Sequence, residues 1–151
     1  MDQIKVDFAF LSDYGEVANK IYAQGIGIDA VLARQVPVRH PQLFMVAQMR
    51  APKEVTEVDL ELIFSDPEGN PLIKNVGKMR FTPPAFGDKS IARFAMGFFN
   101  LDFQKFGTHS FVLYLGGKEM INLPLQLIQV GRPAQPQQQA QPPAKVAASP
   151  N

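Results

Sequence analysis

The stretch Phe106-Gly107-Thr108-His109-Ser110-Phe111-Val112-Leu113-Tyr114-Leu115-Gly116-Gly117-Lys118-Glu119 decides the fold class. Strand side chains alternate between two faces, so His109, Phe111, Leu113 and Leu115 fall on one side, and Ser110, Val112 and Tyr114 on the other. Gly116-Gly117 supplies the two positive-φ positions of a tight two-residue turn. Ile121, Leu123, Leu125 and Leu127 then recur at every second position, as the apolar face of a returning strand. A folded region that closes on such a hairpin is all-β.

Upstream, short apolar runs separated by turn residues repeat the same signal. Val6, Phe8 and Phe10 alternate in a first strand. Lys20 to Gly27 forms a second, and Asp29 to Ala33 continues it past a glycine bend. Leu43 to Arg50 is apolar on both faces, as a central strand is. In Thr56 to Ser65, Val58, Leu60, Leu62 and Phe64 face inward against Glu57, Asp59 and Glu61. That strand stops at Asp66-Pro67-Glu68-Gly69-Asn70, where Pro67 presets a turn and Gly69 accepts the left-handed position. Pro71 to Val76 is its hairpin partner, Lys78 to Thr82 a short strand stopped by Pro83-Pro84, and Ser90 to Phe99 a further strand. Tyr14 to Asn19 is the best helical segment, one short turn capped by Ser12 or Asp13. Pro124 cannot donate to a ladder, so the last strand is expected at an edge or with a bulge.

These features predict an all-β chain: a single Ig-like or C2-like antiparallel β-sandwich of about eight or nine strands over residues 1–130. Residues 131–151 hold five Pro, five Gln and five Ala in 21 positions. They cannot bury enough apolar surface to offset their ordering entropy, which predicts a disordered tail.

Composition narrows the function. There is no cysteine, which excludes disulfides, thiolate metal sites and thiol nucleophiles. Outside the tail the chain carries 13 basic and 14 acidic side chains, so it lacks the charge footprint of a nucleic-acid binder. Lys74, Lys78 and Arg80 read as protection of an exposed strand edge. The opening residues Met1 to Asp7 lack the basic stretch and apolar run of a signal peptide, and no run reaches the roughly 18 residues that span a bilayer. A cytoplasmic setting with no membrane partner is the expectation.

No catalytic constellation, cofactor motif or metal-ligand spacing is present, and a non-enzyme is expected. His40 lies between two prolines in Val36-Pro37-Val38-Arg39-His40-Pro41, a stiff extended connection or a binding rim. His109 shares the apolar face of its strand and is read as a core or loop-capping residue; no His-x-His or His-x-x-x-His pair accompanies it. Asp13, Asp29, Asp66 and Asp88 are dispersed singly, which does not suit calcium, and Asp66 is explained by its turn and Asp13 by capping. Gly25-Ile26-Gly27 lacks the Lys-Ser/Thr and helix start of a phosphate loop, and marks a bulge or a close backbone approach.

Taken in order, Asp7-Phe8-Ala9-Phe10-Leu11-Ser12-Asp13-Tyr14-Gly15-Glu16-Val17, the Gly25-Ile26-Gly27 strand, Val36-Pro37-Val38-Arg39-His40-Pro41 and Phe106-Gly107-Thr108-His109-Ser110-Phe111 resemble an uncharacterised bacterial family of small β-sandwich domains, a domain of unknown function. The resemblance covers about residues 4–130 and implies a fold and a bacterial, cytoplasmic setting, without an activity. The leading expectation is a non-catalytic module that binds an unidentified protein partner through loops or the edge of its last strand. A homo-oligomeric building block joined through the Phe-rich segment 94–106 is the alternative. A small-ligand or carbohydrate-binding sandwich is a third, opposed by the absence of Trp and the presence of only Tyr14, Tyr22 and Tyr114.

Overall fold

A computed structural model describes residues 3–131. Of the tail expected at 131–151, residues 132–151 lie outside the described residues. Within them the chain forms ten strands and no helix: β1 (Lys5–Ser12), β2 (Tyr14–Val17), β3 (Ile21–Gln24), β4 (Ala30–Ala33), β5 (Val38–Pro52), β6 (Glu57–Ser65), β7 (Pro71–Arg80), β8 (Lys89–Phe103), β9 (Gly107–Leu115) and β10 (Lys118–Gln129). They make three sheets, ordered β1-β5-β8, β4-β10-β9-β6-β7 and β2-β3.

The three-stranded and five-stranded sheets share one core. Leu43, Met45, Ala47 and Met49 of β5 and Leu62, Phe64, Phe111, Leu113, Leu125 and Leu127 of the other sheet are all buried. Aromatic rings join the two sheets: Phe98 meets Phe111 edge-on at 5.0 Å, and Phe103 meets Phe64 at 5.9 Å. Each such ring contributes about 1.5–3 kcal/mol through the apolar area it removes from water. The β9–β10 hairpin forms as its sequence predicts, with Gly116 and Gly117 at φ 57° and 80° and Leu115 opposite Lys118.

Several expectations are corrected. Tyr14 to Asn19 is not a helical turn but strand β2 and its turn, paired antiparallel with β3. Pro71–Val76 and Lys78–Thr82 merge into β7, which runs unbroken through Gly77 to Arg80. The sheets are not purely antiparallel, because β4 joins β10 in parallel between Ala30↔Gln126 and Ala33↔Gln129. Strand β10 is therefore interior over that span and an edge only before it. Gln126 N–H donates to Asp29 O at 2.9 Å, so Pro124, two residues earlier and turned the same way, points its nitrogen beyond the start of β4. A register shift between Glu119 and Ile121 supplies the bulge.

Strand alternation also breaks in β8. Phe98 and Phe103 are both buried although five positions apart, and Phe99 between them is 62% exposed. Asn100 sits at φ 55°, the one non-glycine residue with positive φ among those described, and resets which face is inward. Leu101 and Phe103 thus return to the core.

Candidate functional site

The three-stranded sheet has an outer face as well as a core face. Across it run the cross-strand rows Phe8–Gln48–Arg93, Phe10–Val46–Ala95, Ser12–Phe44–Gly97 and Gln42–Phe99. The β2–β3 hairpin folds over the middle of this face. Gly15 rests against Val46, where a Cβ would come within 2.5 Å of Val46 Cγ2. Val46 is consequently fully buried although it points away from the core. The hairpin is fixed at its start by Gln42 Nε2 donating to Asp13 O at 3.0 Å, and at its tip by Arg93 Nη1 donating to Asn19 O at 3.2 Å.

Beside the hairpin the rings form a ladder. Tyr14 meets Phe44 edge-on at 5.2 Å, and Phe44 meets Phe99 edge-on at 5.8 Å. Gly97 makes room for it, since a Cβ there would lie 2.9 Å from atoms of both the Phe44 and Phe99 rings. On β1, Phe8 and Phe10 stack at 5.9 Å. Phe99, Tyr22, Tyr14 and Phe8 are all exposed, Tyr22 by 50% with Lys20 Nζ 5.6 Å from its ring centre. Tyr14 Oη donates to Glu16 Oε2 at 3.2 Å, and the Glu16 charge and that bond raise the phenol pKa. A face of this kind can bury apolar surface against another chain.

The other candidates are not brought together. Among the described residues no three His, Asp or Glu side chains converge as a metal-binding group. His40 is half-buried on β5, paired with Leu101, and its Nε2 has no hydrogen-bond partner. His109 is fully buried in the core, stacked on Phe64 at 5.6 Å and edge-on to Phe103 at 4.9 Å. Its Nδ1 lies 3.3 Å from Gly107 O while Nε2 is unpartnered, and desolvation lowers its pKa.

Asp66 is the turn-former expected of it: Oδ1 accepts from the backbone N–H of Glu68 and Asn70, each at 2.9 Å, and Oδ2 from Asn70 Nδ2 and Lys105 Nζ. Desolvation pushes this carboxyl up, but the bonds from Asn70, Glu68 and Lys105 outweigh it and hold its pKa at about 2. Asp13 caps no helix; its N–H donates to Gln24 O at 3.0 Å, and its side chain fills the space beside Gly25. Gly25 and Gly27 have φ of 63° and 92° and lead β3 back to β1, where the Gly27 and Ile28 N–H groups donate to Leu11 O. This is the close backbone approach the glycines suggested. Asp29 O receives Gln126, and Asp88 O receives the Lys53 N–H.

Lys74 and Lys78 pair with Glu61 and Glu57 on β6, and Arg80 shares Glu57. Beside them a groove of about 630 Å³ on the outer face of the five-stranded sheet is lined by Asp59, Glu61, Ile63, Val76 and Tyr114. Within the Phe-rich segment, Phe98 and Phe103 are core residues and cannot serve as an association surface; Phe99 alone of the three is presented to solvent. Phe8 and Phe10 were expected to share one strand face with Val6, but a register shift between Val6 and Phe8 puts Val6 opposite the core residue Met49 and turns the two rings to the outer face. Phe44 was not singled out by the sequence; its one signal was apolar character on both faces of β5, which reads as burial under a second layer.

The geometry thus defines a small all-β domain with an aromatic outer face. The chain belongs to the family described as a family of unknown function (DUF6941), whose model matches residues 7–128. No curated protein matches it. Among solved structures it is similar to Pseudomonas fluorescens alkylpurine DNA glycosylase AlkC bound to DNA containing an abasic site analog, at 8% identity and a TM-score of 0.46. That likeness covers 83% of this chain and 30% of the glycosylase chain, and it carries no argument about function. No helix among the described residues is long and apolar enough to cross a membrane.

Proposed function

We propose that this domain is a non-catalytic protein-interaction module whose partner docks on the outer face of the three-stranded sheet, over Phe99, Phe44 and Tyr14. The observation that carries the reading is the Tyr14–Phe44–Phe99 ladder, kept in place by the absent side chain of Gly97 yet ending in a phenylalanine that is 62% exposed. Rigid aromatic side chains lose little entropy on contact and are the usual anchors of interfaces. The docking surface in this reading is a face, rather than the edge of the last strand, because β4 already occupies part of that edge. Capture of partners by the full chain and by its Phe99→Asp variant tests it.

A second copy of the chain is the alternative partner, since exposed rings on one face suit a symmetric contact. Light-scattering mass across a concentration series separates the two. A monomer leaves a foreign partner; an oligomer dissolved by Phe99→Asp assigns the face to self-association, and an oligomer that survives the change contradicts both.

A further inference from the structure

At the far end of the same sheet, away from the aromatic ladder, lies a pocket of about 120 Å³ lined by Gln3, Lys5, Asp7, Arg50 and Lys89. The three cations come from the three strands of the sheet. Lys5 on β1 sits directly opposite Arg50 on β5, and Lys89 on β8 pairs with Pro52 two residues further along β5. Like charges directly across a ladder are unfavourable, so this arrangement is not explained by stability.

One carboxylate answers them. Asp7 Oδ2 accepts from Arg50 Nε at 2.7 Å and from Gln48 Nε2 at 2.8 Å. The bond from Gln48, then that from Arg50, lowers the Asp7 pKa and keeps it ionised. The bond to Asp7 uses only the Nε–H of the guanidinium, leaving its other donors free to turn outward. Lys5 and Lys89 have no hydrogen-bond or ion-pair partner among the described residues, and the neighbouring Asp88 carboxylate binds neither. Among the described residues that line the pocket, three cations against one carboxylate leave two positive charges around a space of oxyanion size.

We propose that Lys5, Arg50 and Lys89 form a binding site for a doubly charged tetrahedral oxyanion of the phosphate class. A phosphate dianion matches the residual charge, Arg50 offers it directed N–H donors, and the lysines act as point charges around it. Asp7, which also lines the pocket, orients Arg50 through its bond to Nε. The stacked rings of Phe8 and Phe10 continue along β1 on the same face, so a phosphate carried on a flat ring system has a surface beside the site. This inference does not depend on the protein-docking role of the ladder, and the two fail separately.

The test is thermal unfolding of the full chain titrated with inorganic phosphate, phosphoserine or a nucleoside monophosphate, against sodium chloride at matched ionic strength. The expected result is a saturable rise in melting temperature with phosphate beyond that in chloride, because a ligand of the native state adds stability by mass action. In the Lys5→Gln/Lys89→Gln variant the apparent affinity falls about tenfold or more, as two charge-assisted contacts are lost. Its melting temperature in chloride stays at or above that of the wild type, since a like-charge pair is relieved. The ligand with the tightest binding tells whether the phosphate is taken free, on an aliphatic carrier or on a ring. A wild-type rise equal to that in matched chloride, or a variant that titrates like the wild type, overturns the proposal.

Discussion

Gly15 lies directly over Val46, with room for a hydrogen but not for a methyl group: a Cβ would approach Val46 Cγ2 to 2.5 Å. This contact turns the outer face of a three-stranded sheet into a partly covered layer. It buries Val46 and leaves Tyr14 and Phe99 exposed at the rim of the hairpin, with Phe44 half-buried between them. Gly15→Val is expected to lift the hairpin and cost about 1–3 kcal/mol through overpacking. Urea unfolding monitored by tyrosine fluorescence checks this; an unchanged midpoint would show that the hairpin is not held by this contact.

Phe99 and Phe103 should separate surface from core. Phe99→Asp loses one edge-to-face contact and costs at most about 1.5 kcal/mol. Phe103→Asp places a carboxylate against Phe64 and His109 in the core and is expected to cost about 4 kcal/mol or more. Thermal melts of the two variants decide the assignment.

Asn100 turns β8 so that Phe98 and Leu101 both face inward. Asn100→Gly should be neutral within about 1 kcal/mol, since glycine accepts positive φ. Asn100→Val is strained at φ 55° and is expected to cost about 1–2 kcal/mol or more. Equal stability of the two variants would contradict the reset of alternation.

Acid should destabilise the fold in two steps. Burial lowers the pKa of His109 below its ordinary 6.5, so its contribution is present above pH 6.5 and declines as the pH falls through the folded value. Asp66, held at about 2 against an ordinary 3.8, contributes above pH 3.8 and loses that contribution as the pH falls toward 2. The His109→Phe variant should abolish the upper step and keep the lower one; Asp66→Asn should do the reverse. Melting temperature across pH 2–8 reads both, and an upper step that survives His109→Phe would place it elsewhere.

The parts of the fold that were legible in the sequence are those fixed by neighbours in the chain. Gly116-Gly117 with alternating residues on either side specifies β9–β10 locally, and Val58, Leu60, Leu62 and Phe64 specify the inner face of β6. The β2–β3 hairpin was not legible because the role of Gly15 is set by Val46, thirty-one positions away. The parallel pairing of β4 with β10 joins residues far apart in the chain, Ala30 with Gln126, which no local pattern encodes. The site was half legible. Segment 94–106 stood out for its phenylalanines, but which of them face solvent depends on the conformation of Asn100, and the rings of β1 and β5 that complete the face read as ordinary core residues.

The central claim is that the aromatic outer face, and Phe99 in particular, is where a partner chain docks. The measurement that tests it most directly is quantitative capture by immobilised full-length wild type, Phe99→Asp and a Lys74→Glu surface control, each first shown to unfold cooperatively. The account predicts at least one protein held by wild type and by the control and lost by Phe99→Asp. An identical set of bound proteins for all three would contradict it.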